Sequence, residues 1–401
     1  MLAVITTIPA GGGPTAPASS PSGDRIYVGS TANPTISVVA TVTNTVIDSI
    51  GPAPLGLQGA QQLTVHPDGT RLYCNTFGAV AVVDVNTKSI AALIPSGWAG
   101  MVAVHPDGST VYLASGGDDS GTPDPKVILI DAATNTVTGS IKVDEAYYLA
   151  VSPNGARLYV AGYSGDLIWV IDTVGHSIVQ TIDLGKPISG LVVSPDNSRV
   201  YVLGAVKFGV TTSNVTVIDA ATGTVTTAIT FPLGEELTDM AVAPDGAAVY
   251  VTQLTGDVSR IDASTMTVTD AVSIGSYAGA VAVSPDGSRI YVTNRHANTV
   301  SVIAQLHVTP ADLHLPDLVG KLIGGAASGG NGWLVIGDHF YPIPPREPAL
   351  QAIARALVPH VGKPVQNHEL GQRLRRTLSA EPEAPKMAPG SFHPDEHRPQ
   401  H

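Results

Sequence analysis

The chain has 401 residues, of which 13% are charged, and 33 acidic against 21 basic side chains give a formal net charge of −12. That balance excludes a surface built to neutralise phosphates, and with it nucleic-acid binding and docking on anionic membranes, while cationic ligands and divalent metals stay compatible with it. The single cysteine, Cys74, excludes an intrachain disulfide, and no run of 18 apolar residues is present to span a bilayer.

Val, Thr, Ile, Ala and Ser dominate beside 42 Gly and 31 Pro, the composition of an all-β chain of short strands and many turns. The chain opens on Leu2-Ala3-Val4-Ile5-Thr6-Thr7-Ile8, an alternating strand pattern with no charged segment before it. Seven proline turns follow: SPSG at 20–23, HPDG at 66–69 and 105–108, SPNG at 152–155, SPDN at 194–197, APDG at 243–246 and SPDG at 284–287. Proline pre-sets φ and the glycine accepts φ > 0, so each is a turn with a mechanism. His66 and His105 share one slot in neighbouring repeats, and a turn-capping role is expected for both.

Each turn is preceded by a short apolar run. Each is followed by an aromatic-centred strand such as RIYVG at 25–29, RLYVA at 157–161 or RIYVT at 289–293. A third strand comes next, for instance VILID at 127–131. A fourth then follows at 44–50, 88–94, 135–141, 176–182, 223–229 and 266–274. Four antiparallel strands joined by tight turns make one propeller blade. Cys74 falls in an apolar strand slot and is expected to be a buried small hydrophobe. Seven copies of the first three strands meet only six copies of the fourth. The missing one is expected from residues 2–8, which would pair with Thr299–Ile303 and close the ring without leaving sheet edges. The fold class is therefore an all-β, seven-bladed propeller of four-stranded antiparallel blades closed by the N-terminal strand.

The segment SPDGSRIYVTNRHANTVSVI at 284–303 resembles the YVTN-type β-propeller repeat in nearly consensus form, and the resemblance runs through residues 1–305. The repeated Trp-Asp of WD40 blades and the double glycine of kelch blades are absent. The resemblance implies a propeller and a secreted or cell-surface setting; the lack of a signal-like segment after Met1 points instead to the cytoplasm or to a start further upstream. Related repeats in lactonase-type propellers imply a second possibility, a hydrolase or lyase with a metal or acid/base group at the channel mouth. Fold alone does not choose between these.

The loops joining second to third strands, and each blade to the next, gather on one face of a propeller around its channel. Here they carry Trp98, Asp144, Tyr147, Lys186, Glu235, Tyr277, Arg295 and His296 as candidate ligand-binding residues. Trp98, Tyr147, Tyr148 and Tyr277 suit an aromatic platform for a sugar or peptide. Asp144, Glu145, Glu235 and Glu236 suit a cationic ligand or divalent ion, although no cofactor or metal motif is present. Arg295-His296 suits an anion or acid/base work. Two long loops, one with Asp118, Asp119 and Asp124 and the other with Lys207 and Phe208, lie on the same expected face. The leading reading is a non-catalytic scaffold for a small-molecule, carbohydrate or protein ligand.

The propeller is expected over residues 1–308 and a Gly-rich linker over 309–332. A hairpin and an amphipathic helix are expected over 333–362, with Leu350, Ile353, Leu357 and Val361 on one helical face to dock on the propeller or a partner. A Pro-, Glu- and His-rich tail over 363–401 is expected to be disordered.

Overall fold

The structure is a computed structural model that describes residues 2–32, 35–51, 62–76, 78–97, 99–117, 123–163, 165–204, 213–232, 234–275, 277–305, 332–336 and 339–343. The chain divides into two compact units, Met1–His307 and Val308–His401.

The first unit holds seven four-stranded antiparallel sheets. Blade four shows the plan: Tyr148–Val151, Arg157–Ala161, Leu167–Asp172 and Ser177–Asp183 lie side by side in sequence order. The first strands, counted from blade one, are Pro14–Ser19, Gln62–Val65, Ala99–Val104, Tyr148–Val151, Ile188–Val193, Leu237–Val242 and Ala278–Val283. Each touches the next, and the seventh touches the first, so they form the inner wall of a closed ring. No helix occurs among the described residues.

Alternation along the second strands explains the packing. Successive side chains of a strand point to opposite faces. In blade one Tyr27 therefore joins the core shared with blade two, while Ile26 and Val28 join the core shared with blade seven. The seven second-strand tyrosines, at 27, 73, 112, 159, 201, 250 and 291, are all buried. Among the described residues the apolar cores number seven, each bridging two neighbouring blades. Cys74 is fully buried in one of them, and that burial pushes its thiol up to about 12.

The turns follow from local chemistry. In the proline turns the fourth residue donates its N–H to the first carbonyl, as Gly155 does to Ser152 at 2.8 Å. Blade five has Asn197 where the other blades have glycine, at φ +62°, and its side chain accepts the Asn154 N–H of blade four at 2.9 Å. His66 and His105 do more than cap their own turns. Their Nε2 atoms reach the carbonyls of Gly108 and Gly155, in the following blade's turn, at 2.9 and 3.1 Å. The fourth strands begin at Thr45, Ser89, Thr136, Ser177, Val225 and Thr267, later than the sequence pattern places them. The physical reason is that Asn44, Lys88, Asn135, His176, Gly223 and Met266 all have φ between +50° and +71° and belong to the turn.

Closure follows the strand count. Leu2–Pro9 pairs antiparallel with Thr299–Gln305, from Leu2 opposite Gln305 to Pro9 opposite Thr299, with a bulge between Val4 and Thr6. Leu2 and Ile8 are buried, and the Leu2 N–H donates to the Asp270 carboxylate of blade six.

In the second unit, Gly332–Ile336 pairs antiparallel with His339–Ile343, with Ile336 opposite His339. The expected linker, the helical face around Leu350 and Leu357, and the C-terminal tail lie outside the described residues.

Candidate functional site

The strand ends fix which loops share a face. Residues 144–147 and Lys186 link blades three to four and four to five, Glu235 and Glu236 link five to six, and Tyr277 links six to seven. Arg295 and His296 form the turn between the second and third strands of blade seven. All therefore lie on the face opposite the proline turns.

Two groupings emerge. In blade four Tyr147 stands edge-on to Tyr148, with ring centroids 4.9 Å apart, and edge-on to Tyr163 at 5.0 Å. Offset and edge-to-face contacts are the favoured geometry for such rings. Tyr148 is buried, Tyr147 is half-buried, and Tyr163 is 68% exposed, so the trio forms a shelf rising from core to solvent. Burial first, then the neighbouring rings, raises the phenols of Tyr147 and Tyr148. Glu145 folds over the adjoining turn, where its carboxylate takes the space that a Cβ at Gly162 or Gly165 would need. The Tyr147 carbonyl accepts the Met101 N–H at 2.6 Å and ties the shelf to blade three.

In blade seven Tyr277 and His296 stack with centroids 4.4 Å apart and planes 33° from parallel. Tyr277 adopts φ +65° and donates its N–H to the Leu254 carbonyl at 3.2 Å. Asp144 and Lys186 are exposed, and the Glu235 N–H closes a turn on Pro232. Among the described residues no three His, Cys, Asp or Glu side chains come close enough together to hold a metal ion. Trp98, Asp118, Asp119, Lys207 and Phe208 lie outside the described residues; Asp124 is described and pairs with Lys126.

The structure adds a residue that the sequence reading passed over. Asp239 occupies the inner strand of blade six, five residues before its turn proline. Its Oδ1 accepts the Met240 N–H and its Oδ2 accepts the Val281 N–H of blade seven, both at 2.9 Å. In blade two the equivalent Gln62 does the same, its Oε1 accepting the Val102 N–H of blade three at 2.9 Å. The Asp239 residue is half-buried and its carboxylate is poorly solvated. Desolvation raises it from about 3.8 to about 6, against the two N–H donors. A signal was present in the sequence: Asp239 is the only charged residue in the seven first strands.

No family model matches the chain. Over 105 residues, 25% of its length, the chain is 34% identical to the seven-bladed β-propeller protein Rv1057 of Mycobacterium tuberculosis, and the match spans 25% of that protein's length. By fold it is similar to the Kuenenia stuttgartiensis hydrazine synthase, with a TM-score of 0.64 and 21% identity, covering 73% of this chain and 96% of that one. At that identity the likeness concerns the fold alone. Sheet order and ring closure show that the described residues between 2 and 305 form a seven-bladed β-propeller, and the fold likeness spans most of the same stretch.

Proposed function

We propose that this chain is a binding propeller of the YVTN-repeat kind, a non-catalytic scaffold whose loop face takes a small-molecule, carbohydrate or peptide ligand. The observation that carries this reading is the tyrosine shelf of Tyr147, Tyr148 and Tyr163 on the loop face of blade four. The exposed Tyr163 ring is held edge-on against Tyr147, which is itself braced by Tyr148, so it has less conformational freedom to lose when a sugar or peptide packs on it, and an aromatic ring of the ligand would add about 0.5–1.5 kcal/mol beyond area burial. The stacked Tyr277 and His296 offer a second aromatic patch on the same face. The repeat type is the support for the YVTN assignment, and a cell-envelope setting would follow from it.

The test is an array of soluble oligosaccharides and short peptides probed with the full chain and with Tyr163→Ala. Tyr163 is largely exposed, so its removal leaves the fold intact. We expect a bound class whose signal falls roughly tenfold in the variant, the equivalent of about 1.4 kcal/mol. Ligands bound equally by both proteins, or chemically converted by them, would overturn the reading.

A further inference from the structure

We propose that the loop end of blade seven holds the carboxylate of an aromatic organic acid on Arg295, with the flat body of the acid against Tyr277 and His296. The site lies on the same face as the tyrosine shelf of blade four and shares no residue with it.

The case begins with an unengaged charge. Among the described residues, Arg25, Arg71, Arg157 and Arg260 pair with aspartates, and Arg199 and Arg289 donate to backbone carbonyls. Arg295 is the described arginine with neither an ion pair nor a hydrogen bond, and it is exposed. A guanidinium is always charged, so Arg295 is a fixed positive point on a chain whose formal net charge is −12.

Placement comes next. Arg295 and His296 follow the strand Ile290–Asn294, and Tyr277 directly precedes the inner strand Ala278–Val283. Antiparallel pairing sets Asn294 opposite Ala278, so these residues meet across the end of one strand pair. The Tyr277 and His296 rings stack there with centroids 4.4 Å apart. The Arg295 stem lies over the same strand, its Cγ 3.7 Å from where a Cβ on Gly279 would stand, two residues from Tyr277.

The backbone at this point is strained. Tyr277 has φ +65°, and among the described residues it is the one non-glycine residue on a link between blades with positive φ. Left-handed geometry disfavours a bulky side chain, and such outliers gather at ligand clamps. The Tyr277 N–H bond to the Leu254 carbonyl of blade six, at 3.2 Å, holds the link in that conformation.

The donor set selects the kind of anion. A guanidinium presents parallel N–H groups that match the two oxygens of a carboxylate. Phosphate sites gather several converging N–H groups, as at a helix N-terminus, and no helix occurs among the described residues. The net negative charge of the chain also opposes a second charge on the ligand. The His296 imidazole has an N–H to donate in either protonation state, and stacked rings accept a flat apolar body.

The experiment is calorimetric titration of the full chain at pH 7 in dilute buffer with sodium phenylacetate, neutral phenylacetamide and inorganic phosphate. We expect phenylacetate to bind, and the other two to bind weaker by roughly tenfold or more. In strong salt, where the screening length falls to about 3 Å, phenylacetate affinity should drop severalfold. Arg295→Gln should weaken phenylacetate roughly tenfold and leave the melting temperature unchanged, because the side chain bonds nothing in the fold. Tyr277→Gly should weaken it too, while the melting temperature holds or rises, because glycine adopts the left-handed conformation without strain. A tyrosine with a purely structural role would show the reverse. No phenylacetate binding, equal affinity for phenylacetamide, tighter binding of phosphate, or an unchanged affinity in Arg295→Gln would overturn the proposal. Tyr163→Ala should leave phenylacetate affinity unchanged, so a failure here and a failure of the blade-four shelf are read apart.

Discussion

At the scale of single residues, the most informative positions are those held in a left-handed backbone conformation. The turns from third to fourth strand all place one residue there. Blade five has Gly223, blades one and three have Asn44 and Asn135, and the others have Lys88, His176 and Met266. Left-handed geometry strains a side chain with a Cβ by about 1–2 kcal/mol, less for asparagine, and not at all for glycine. Lys88 recovers part of this through an ion pair with Asp48, and Met266 through contact with the core of blades five and six. His176 is exposed at φ +50°, and no such packing offsets its strain. His176→Gly is therefore expected to stabilise the propeller by about 0.5–1 kcal/mol, after the greater chain entropy of unfolded glycine is subtracted. Thermal melts of the two proteins check this, and a lower melting temperature for the variant would contradict it.

At the scale of elements, two kinds of acidic turn recur, and both titrate in one direction. After the turn prolines, Asp107 is held down to about 2 by the Ser109 N–H and hydroxyl, and Asp196 to about 2 by the Ser194 hydroxyl and the Ser198 N–H. At the ends of third strands, the Ser264 hydroxyl and the Thr265 N–H hold Asp262 to about 2. A carboxyl lowered by folding stabilises the native state above its unfolded value near 3.8, and that contribution is lost as pH falls towards 2. Asp239 works the other way. It is raised to about 6, so the native state binds its proton first and stability rises as pH falls from about 7 to 4. The urea midpoint should thus climb gently towards pH 5 and collapse between about pH 4 and 2; a midpoint already falling between pH 7 and 5 would contradict the sign for Asp239. The repeated acids are exposed or half-exposed, so solvent screening keeps each contribution small and only their number makes the acid limb steep.

The same elements explain what could be read without coordinates. Pro-Asp-Gly turns and Tyr-centred strands are dictated by residues adjacent in sequence, so blade number, blade order and turn positions were legible. The fourth strands start one or two residues later than their sequence pattern because that pattern includes a turn residue, among them Lys88 and Met266, whose left-handed conformation shows only in φ. The candidate site was legible as a face. Tyr147, Tyr148, Tyr277 and His296 were visible as loop residues, but their pairing depends on which loops fold against each other. Tyr163 and Asp239 were missed for related reasons. One lies in a short turn that carries no motif, and the other interrupts an apolar strand whose inward face acquires meaning only once seven strands line one channel.

At the scale of the whole molecule, the ring has seven seams, and six of them join blades that are consecutive in the chain. The seventh joins blade seven to blade one, and it depends on a strand from the opposite end of the sequence. Leu2–Pro9 completes the blade-seven sheet, Leu2 enters the core between blades six and seven, and Ile8 enters the core between blades seven and one. Ala10 and Gly13 then fasten to the Asn298 carbonyl and side chain at 3.0 and 2.7 Å. Burying two such side chains contributes about 1.5–3 kcal/mol each, and the ladder bonds add about 0.5–1.5 kcal/mol apiece. Removing residues 1–9 should therefore destabilise the propeller by roughly 5 kcal/mol or more, which is comparable with the total stability of many domains. It would also bare the edge of Thr299–Gln305, a template for pairing with a second chain. The truncated protein is expected to melt well below the intact one and to self-associate, read by differential scanning calorimetry and light scattering. A supplied peptide of residues 1–9 should restore both properties, because it returns the missing strand without the covalent link. An unchanged melting temperature in the truncation would mean that the ring is held by its seams alone and that the N-terminal strand only decorates it.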